Sequence, residues 1–339
     1  MTSVGRRPVP LIDPFERRVR DLRISITDRC NFRCAYCMPE EGMDWLAREE
    51  LLSYEEIATI ARVCVERFGF EAIRLTGGEP LVRAHMPRLV RLLAPLGVDL
   101  ALTTNGVRLP ELATELADAG LDRVNVSLDT LRRERFLALT RRDDLDRVVA
   151  GIDAAIAAGL APVKVNAVVM RGVNDDEVVD LARFGRERGV GMRFIEFMPL
   201  DAQGEWSHDK VVPAREILDR IDAVFPLEAP ATVGHVEPAA RYRYRDGVGD
   251  VGVIPSVTEP FCDNCDRVRL TAEGRLRTCL FALDETDLRA VLRAEGGAED
   301  TDDRLAAAIV AAVGTKWAGH RIGQVDFVRP GRSMSQIGG

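Results

Sequence analysis

The sequence predicts an α/β protein: a partial, open (β/α)6 barrel followed by a smaller α+β region. Three observations predict this. Short β-branched runs alternate with amphipathic helical patterns from about residue 21 to about 200, which implies parallel strands with helices outside. There are six such units, too few to close an eight-stranded barrel. After about residue 205 the alternation gives way to hairpin patterns. A doubly wound open sheet is the alternative arrangement of the same units.

The strand candidates, in order, are LRISIT (22–27), AIRLT (72–76), VDLALTT (98–104), RVNVSLD (123–129), PVKVNAVVM (162–170) and MRFIEFM (192–198). The clearest helix lies between the first two. Ser53 serves as N-cap, Glu56 completes a capping box, and Gly69 stops the helix. A second runs over 174–189, with Asn174 placed to cap and Gly189 to terminate. Further on, RYRYRDGVGDVGVI (241–254) reads as a hairpin with a Gly-rich turn, and RVRLTAEGRLRTCL (267–280) as another, bent at 272–274. Helical stretches near 285–295 and 302–313 follow, and the tail FVRPGRSMSQIGG has no periodicity. The expected divisions are a flexible Pro-rich arm (1–20), the barrel (21–205), a C-terminal region (206–325) and a tail (326–339) ending Gly338-Gly339.

Composition narrows the function. The net charge of −8 argues against a general nucleic-acid binder, and no apolar run is long enough to cross a bilayer. The first residues carry two arginines but no apolar stretch behind them, so a cytoplasmic protein without a signal peptide is expected. Seven cysteines in a large chain of this kind point to metal or redox chemistry rather than structural disulfides. Cys64, inside helical VCVERF, reads as a buried thiol.

Cys30, Cys34 and Cys37 form C-x3-C-x2-C just after the first strand. Three thiolates on one tight loop can hold three corners of an iron–sulfur cube. The fourth iron then stays open to a substrate or cofactor. Zinc is the competing reading, but it wants a fourth ligand nearby, and the next histidine, His85, is 48 residues beyond Cys37. Cys262, Cys265 and Cys279 form a second trio, C-x2-C-x13-C. It reads as a second cluster with an open iron, or as zinc completed by His235 or His320. Arg267 and Arg269 flank Val268 and so share one strand face. A solvated edge strand would look the same, but beside an open cluster a phosphate clamp is the better reading, because guanidinium pairs bidentately with phosphate oxygens.

CNFRCAYC resembles the CxxxCxxC signature of the radical S-adenosylmethionine (SAM) superfamily. Thr76-Gly77-Gly78-Glu79-Pro80, after the second strand, is similar to that superfamily's GGEP motif, whose glycines allow close backbone approach to a ligand. Position agrees, since chemistry in a (β/α) barrel sits at the C-terminal ends of the strands. The cysteine loop ends strand one, GGEP strand two, Thr103-Thr104-Asn105-Gly106 strand three, Ser127 and Asp129 strand four, and Met198 strand six. FCDNCDRVRLTAEGRLRTCL makes the resemblance narrower: from about residue 13 to the end the chain is similar to the GTP 3′,8-cyclase family of molybdenum cofactor biosynthesis.

That resemblance implies two [4Fe–4S] clusters, on Cys30, Cys34 and Cys37 and on Cys262, Cys265 and Cys279. It implies SAM contacts at Tyr36, Gly78, Ser127 and Met198, and GTP contacts at Arg23, Arg74, Thr103, Lys164, Arg267, Val268 and Arg269. It implies that Gly338 and Gly339 enter the active site. It also implies a lyase, a homodimer, an unnamed electron donor, and cyclic pyranopterin monophosphate synthase as the next enzyme. Two rivals carry weight at this stage. One is a peptide-modifying radical SAM maturase, which would carry more C-terminal cysteines. The other is a non-catalytic iron–sulfur sensor, which would have no need of a SAM pocket. The segment 39–50 carries no readable role.

Overall fold

A computed structural model of the chain describes residues 7–201, 204–228 and 238–338. Six parallel strands form the barrel: β1 (Asp21–Ser25), β2 (Ala72–Thr76), β3 (Asp99–Thr104), β4 (Arg123–Ser127), β5 (Lys164–Val169) and β6 (Gly191–Glu196). Each lies beside the next in chain order. The C-terminal region adds β7 (Ala240–Arg243), β8 (Asp250–Ile254), β9 (Arg267–Leu270), β10 (Arg275–Arg277) and β11 (Thr286–Asp287). Among the described residues these make one open eleven-stranded sheet, in the order β11-β10-β9-β1-β2-β3-β4-β5-β6-β8-β7.

The expected partial barrel is therefore present, and it is extended at both edges. β9 pairs parallel with β1, and β8 pairs parallel with β6. Both predicted hairpins exist, β7–β8 and β9–β10, each antiparallel. One strand of each continues the barrel wall. The second cysteine group is thereby carried onto the barrel rather than onto a separate layer.

Alternation along the strands explains why the interior is open. Leu22, Ile24, Ile73, Leu75, Val124, Val126, Val165 and Phe194 point outward into the hydrophobic core beneath the helices. Their alternates Arg23, Arg74, Asn125, Ser127, Lys164, Asn166 and Arg193 point inward to a cavity. A closed barrel fills its interior with branched apolar side chains, whereas this one lines it with polar groups.

The helix α1 (Tyr54–Phe68) forms as its sequence predicts: Ser53 Oγ accepts from Glu56 N, Glu56 reciprocates, and Gly69 ends it in the left-handed conformation. Such a cap is worth about 1 kcal/mol. The buried Ile57, Ile60 and Val63 contribute more, on the order of 1.5–3 kcal/mol each. Two expectations need correction. Asn174 does not cap. Its Nδ2 donates to the carbonyls of Asp129 and Val168, and its Oδ1 accepts from Met170 N, so its buried side chain ties the ends of β4 and β5 together. The arm is also not free from residue 7 onward. Leu11–Ile12 and Arg18–Val19 pair, Leu11 and Val19 join the core, and Arg17 is buried.

Candidate active site

The inner face of the sheet and the loops at the C-terminal strand ends enclose a cavity of about 780 Å³. Its walls bring together both cysteine trios, the four predicted SAM residues, and Arg23, Arg74, Thr103, Lys164, Arg267 and Arg269. Val268 is the exception. Its side chain is fully buried on the other face of β9, which leaves only its main chain to offer a ligand. The tail does reach the site: the Gly338 carbonyl accepts from Arg269. A Cβ on Gly338 would lie 2.5 Å from Thr76 Cγ2 and 2.8 Å from Ser25 Oγ. Gly339 and His235 lie outside the described residues.

The first cysteine loop is closed by its own main chain, with the amides of Cys37 and Met38 both donating to the Cys34 carbonyl at 2.9 Å. Burial pushes the Cys30 thiol up to about 12, and Glu79 adds to it. Burial, then Cys37 and Cys30, pushes the Cys34 thiol well above its ordinary value. Burial pushes the Cys37 thiol up to about 12, opposed by a backbone hydrogen bond from Ser335 in the tail. The GGEP glycines are required for a reason the sequence did not show. A Cβ on Gly78 would sit 2.3 Å from the Arg29 carbonyl oxygen, and one on Gly77 2.4 Å from that of Thr27. The close approach is to the cysteine loop itself. Glu79 is buried and accepts from Leu81 N, Asn105 N and Thr104 Oγ1, locking GGEP to the end of β3. The Tyr36 hydroxyl donates to Asp129 at 2.6 Å, and burial raises that carboxyl to about 6.

The second cysteine loop sits among cations. Burial would raise the Cys265 thiol, but Lys316 and then Arg267 outweigh it and bring it below its ordinary value. Lys316 is buried, with its Nζ 3.8 Å from Cys265 Sγ. Arg17 pairs with Asp13 and donates to the carbonyls of Cys262, Trp317 and Ala318. His320 packs on Phe281, ring centres 5.3 Å apart.

Between the trios runs a wall of arginine. Strand pairing sets Arg269, Arg23 and Arg74 side by side across β9, β1 and β2. Like charges placed this way repel. Burial, then Arg267, Arg74 and Arg269, holds Arg23 well below its ordinary value. Arg269 falls to about 10, through burial and then Arg267. Asp21 lies among them, and the arginines overcome its burial and lower it. Among the described residues, the buried Nε groups of Arg23, Arg74 and Arg267 have no hydrogen-bond partner. Buried donors left unpaired are costly, and a phosphate chain would satisfy them.

The cysteine trios fit cubane clusters better than single ions. All six thiols are partly exposed, whereas Cys64 is buried. Among the described residues no three His, Cys, Asp or Glu side chains are gathered for one metal ion. In a cubane each sulfur binds a different iron. The sequence reading missed Asn125, Asn166, Arg193, Arg17 and Lys316. The first three were available as polar residues alternating with apolar ones along β4, β5 and β6. Arg17 and Lys316 act across 245 and 51 residues of chain, and no local pattern marks them.

Comparison with known proteins agrees with this architecture. Residues 24–185 match the Radical SAM superfamily, and residues 190–322 match Molybdenum Cofactor Synthesis C. The GTP 3′,8-cyclase of Streptomyces coelicolor is 49% identical, with 97% of this chain and 96% of that protein covered. That of Corynebacterium glutamicum is 47% identical, with 97% and 89% covered, and GTP 3′,8-cyclase 2 of Mycobacterium tuberculosis is 48% identical, with 97% and 92% covered. Among solved structures, Streptococcus suis SuiB bound to S-adenosylmethionine superposes with a TM-score of 0.59 at 13% identity, over 79% of this chain and 63% of that one, a likeness of fold alone. With identities near one half sustained over almost the whole length, and with both cysteine trios on one cavity, the chain belongs to the GTP 3′,8-cyclase family within the radical SAM superfamily.

Proposed function

We propose that the chain is a radical SAM lyase that converts GTP to (8S)-3′,8-cyclo-7,8-dihydroguanosine 5′-triphosphate, the first step of molybdenum cofactor biosynthesis. The observation that carries this reading is the cavity shared by two cysteine trios and a wall of buried arginines, three of which, among the described residues, have an Nε without a hydrogen-bond partner. When bound, the first [4Fe–4S] cluster supplies the electron that cleaves SAM to methionine and a 5′-deoxyadenosyl radical, which takes the 3′ hydrogen of the GTP ribose.

The chain's own residues hold the participants. Cys30, Cys34 and Cys37 would hold the first cluster. Cys262, Cys265 and Cys279 would hold a second, which would supply a binding point for the guanine. Tyr36, Gly78, Ser127 and Met198 line the SAM end, with the Tyr36 hydroxyl fixed by Asp129. Arg23, Arg74, Arg267, Arg269, Lys164 and Thr103, which all line the cavity, would contact GTP, the cations at its triphosphate. A triphosphate carries about four charges near neutral pH, and fixed cations in a water-poor site need no reorganisation to bind it. Gly338 adds to the wall from the tail, where its carbonyl accepts from Arg269. The reading extends to a cytoplasmic homodimer that takes electrons from a separate donor and passes its product to cyclic pyranopterin monophosphate synthase.

The test is anaerobic reconstitution with iron and sulfide, then SAM, dithionite and GTP, with products read by mass spectrometry. The expected result is 5′-deoxyadenosine together with a cyclised GTP isomer. 5′-Deoxyadenosine without a change in GTP would assign another substrate, and none at all would remove the enzyme reading.

A further inference from the structure

Lys316 lies just past the end of the helix α2 (Ala298–Val313) and is 3% exposed. An ammonium has three N–H donors and no acceptor. The Lys316 ammonium faces three acceptors: the Arg267 carbonyl at 2.7 Å, the Cys265 carbonyl at 2.9 Å and Cys265 Sγ at 3.8 Å. Among the described residues no carboxylate pairs with it. The nearby Asp13 is taken by Arg17 at 2.6 Å. Arg17 in turn fixes the carbonyls of Trp317 and Ala318, so the turn that presents Lys316 is held on its C-terminal side. A buried cation without an anion is strongly destabilising. The negative partner this ammonium is built to meet is the sulfur it touches.

We propose that Lys316 is a positioning residue for the second cluster: its ammonium is the counter-charge of the Cys265 thiolate and ties that sulfur to the start of β9, which carries Arg267 and Arg269. The inference rests on reading the second cysteine trio as a [4Fe–4S] site. Cluster potentials follow net charge and hydrogen bonds to the sulfurs. A cation at Cys265 therefore favours the reduced, more negative cluster and raises its potential.

The experiment isolates that cluster. In a full-length chain carrying Cys30→Ala, Cys34→Ala and Cys37→Ala, only the second trio can be loaded with iron and sulfide. Its midpoint potential is then read by electron paramagnetic resonance during a reductive titration, for Lys316, Lys316→Met and Lys316→Arg. The expected result is a downward shift in Lys316→Met and recovery of part of it in Lys316→Arg. An unchanged or higher potential in Lys316→Met at full iron content overturns the proposal. Should Lys316→Met load no cluster, iron content decides. Iron retained by Lys316→Arg supports the charge, and iron lost from both variants assigns the position to packing alone and overturns it. A parent chain that binds no iron at the second trio sinks the cluster reading, and this inference with it.

Discussion

The two cysteine loops face the same cavity and are built on opposite electrostatics. Around the first, burial and acidic neighbours dominate: Glu79 acts on Cys30, Asp129 on Cys34, and all three thiols are pushed up. Around the second, Lys316 and Arg267 pull Cys265 down, while Cys262 and Cys279 rise through burial. Ligation replaces the thiol proton with metal. Arginines are present at the first loop as well, where Arg33 donates to the carbonyls of Cys30 and Phe32, but at Cys30 the Glu79 carboxylate outweighs Arg33. The second is embedded in the cations that would bind a triphosphate. The same ligand count is thereby set in two different surroundings, one weighted toward carboxylates and one toward cations.

Removing one ligand from each loop is the strongest way to break this contrast. Cys34→Ala is expected to abolish 5′-deoxyadenosine formation entirely, measured by chromatography after anaerobic reconstitution. Cys265→Ala is expected to keep some 5′-deoxyadenosine while losing the cyclised nucleotide. Normal product from Cys265→Ala would end the assignment of substrate holding to the second loop.

The acidic character of the first loop can be read as a pH dependence. Burial raises Glu79 from 4.5 to about 7, against the hydrogen bonds it accepts. The folded chain then binds that proton more tightly than the unfolded chain, so Glu79 costs stability progressively as pH rises from 4.5 through about 7. Glu79→Gln removes the titration but leaves fewer acceptors for three donors, a constant loss of about 1–3 kcal/mol. Thermal melts of the two metal-free chains should therefore converge as pH rises across that window, by at most about 3 kcal/mol. A gap that stays constant would show that Glu79 ionises at its ordinary value.

How much of this was legible from the residues follows from whether the signal is local. The barrel strands were readable because outward positions such as Ile24, Leu75 and Val126 repeat with period two. The loops were readable because C-x3-C-x2-C and GGEP are contiguous. The extension of the barrel was not. Nothing in RVRL announces that it pairs with Asp21–Ser25, some 240 residues earlier. The counter-charge at Cys265 escaped for the same reason, since Lys316 reaches it only through tertiary packing. Asn174 was misread because a capping residue and a strand-bridging one look alike in sequence. Its burial sends the amide inward to Asp129 and Val168.

The arginine wall offers a graded test of the second region. Arg267→Ala leaves Asp21 without one of its cations and deprives the phosphate chain of one donor group. GTP binding to the reconstituted chain, followed by calorimetry, should weaken by about 1–3 kcal/mol. SAM cleavage should continue, since Arg267 stands two residues past Cys265, beside the second loop. Unchanged GTP affinity would remove Arg267 from the site.

The smallest effect belongs to the seventh cysteine, which calibrates the other six. Cys64 is 1% exposed inside α1 and packs in the hydrophobic core, and burial alone raises its thiol to about 12. Among the described residues no acidic or basic side chain acts on it, in contrast to Cys30, Cys34 and Cys265. Cys64→Ala should leave about eight irons per chain, the load of two cubanes, with unchanged 5′-deoxyadenosine and product. It should lower stability by about 1 kcal/mol through lost packing. Loss of iron from this variant would mean that a thiol outside both loops serves a cluster, and the division of the cysteines into two trios would have to be redrawn around α1.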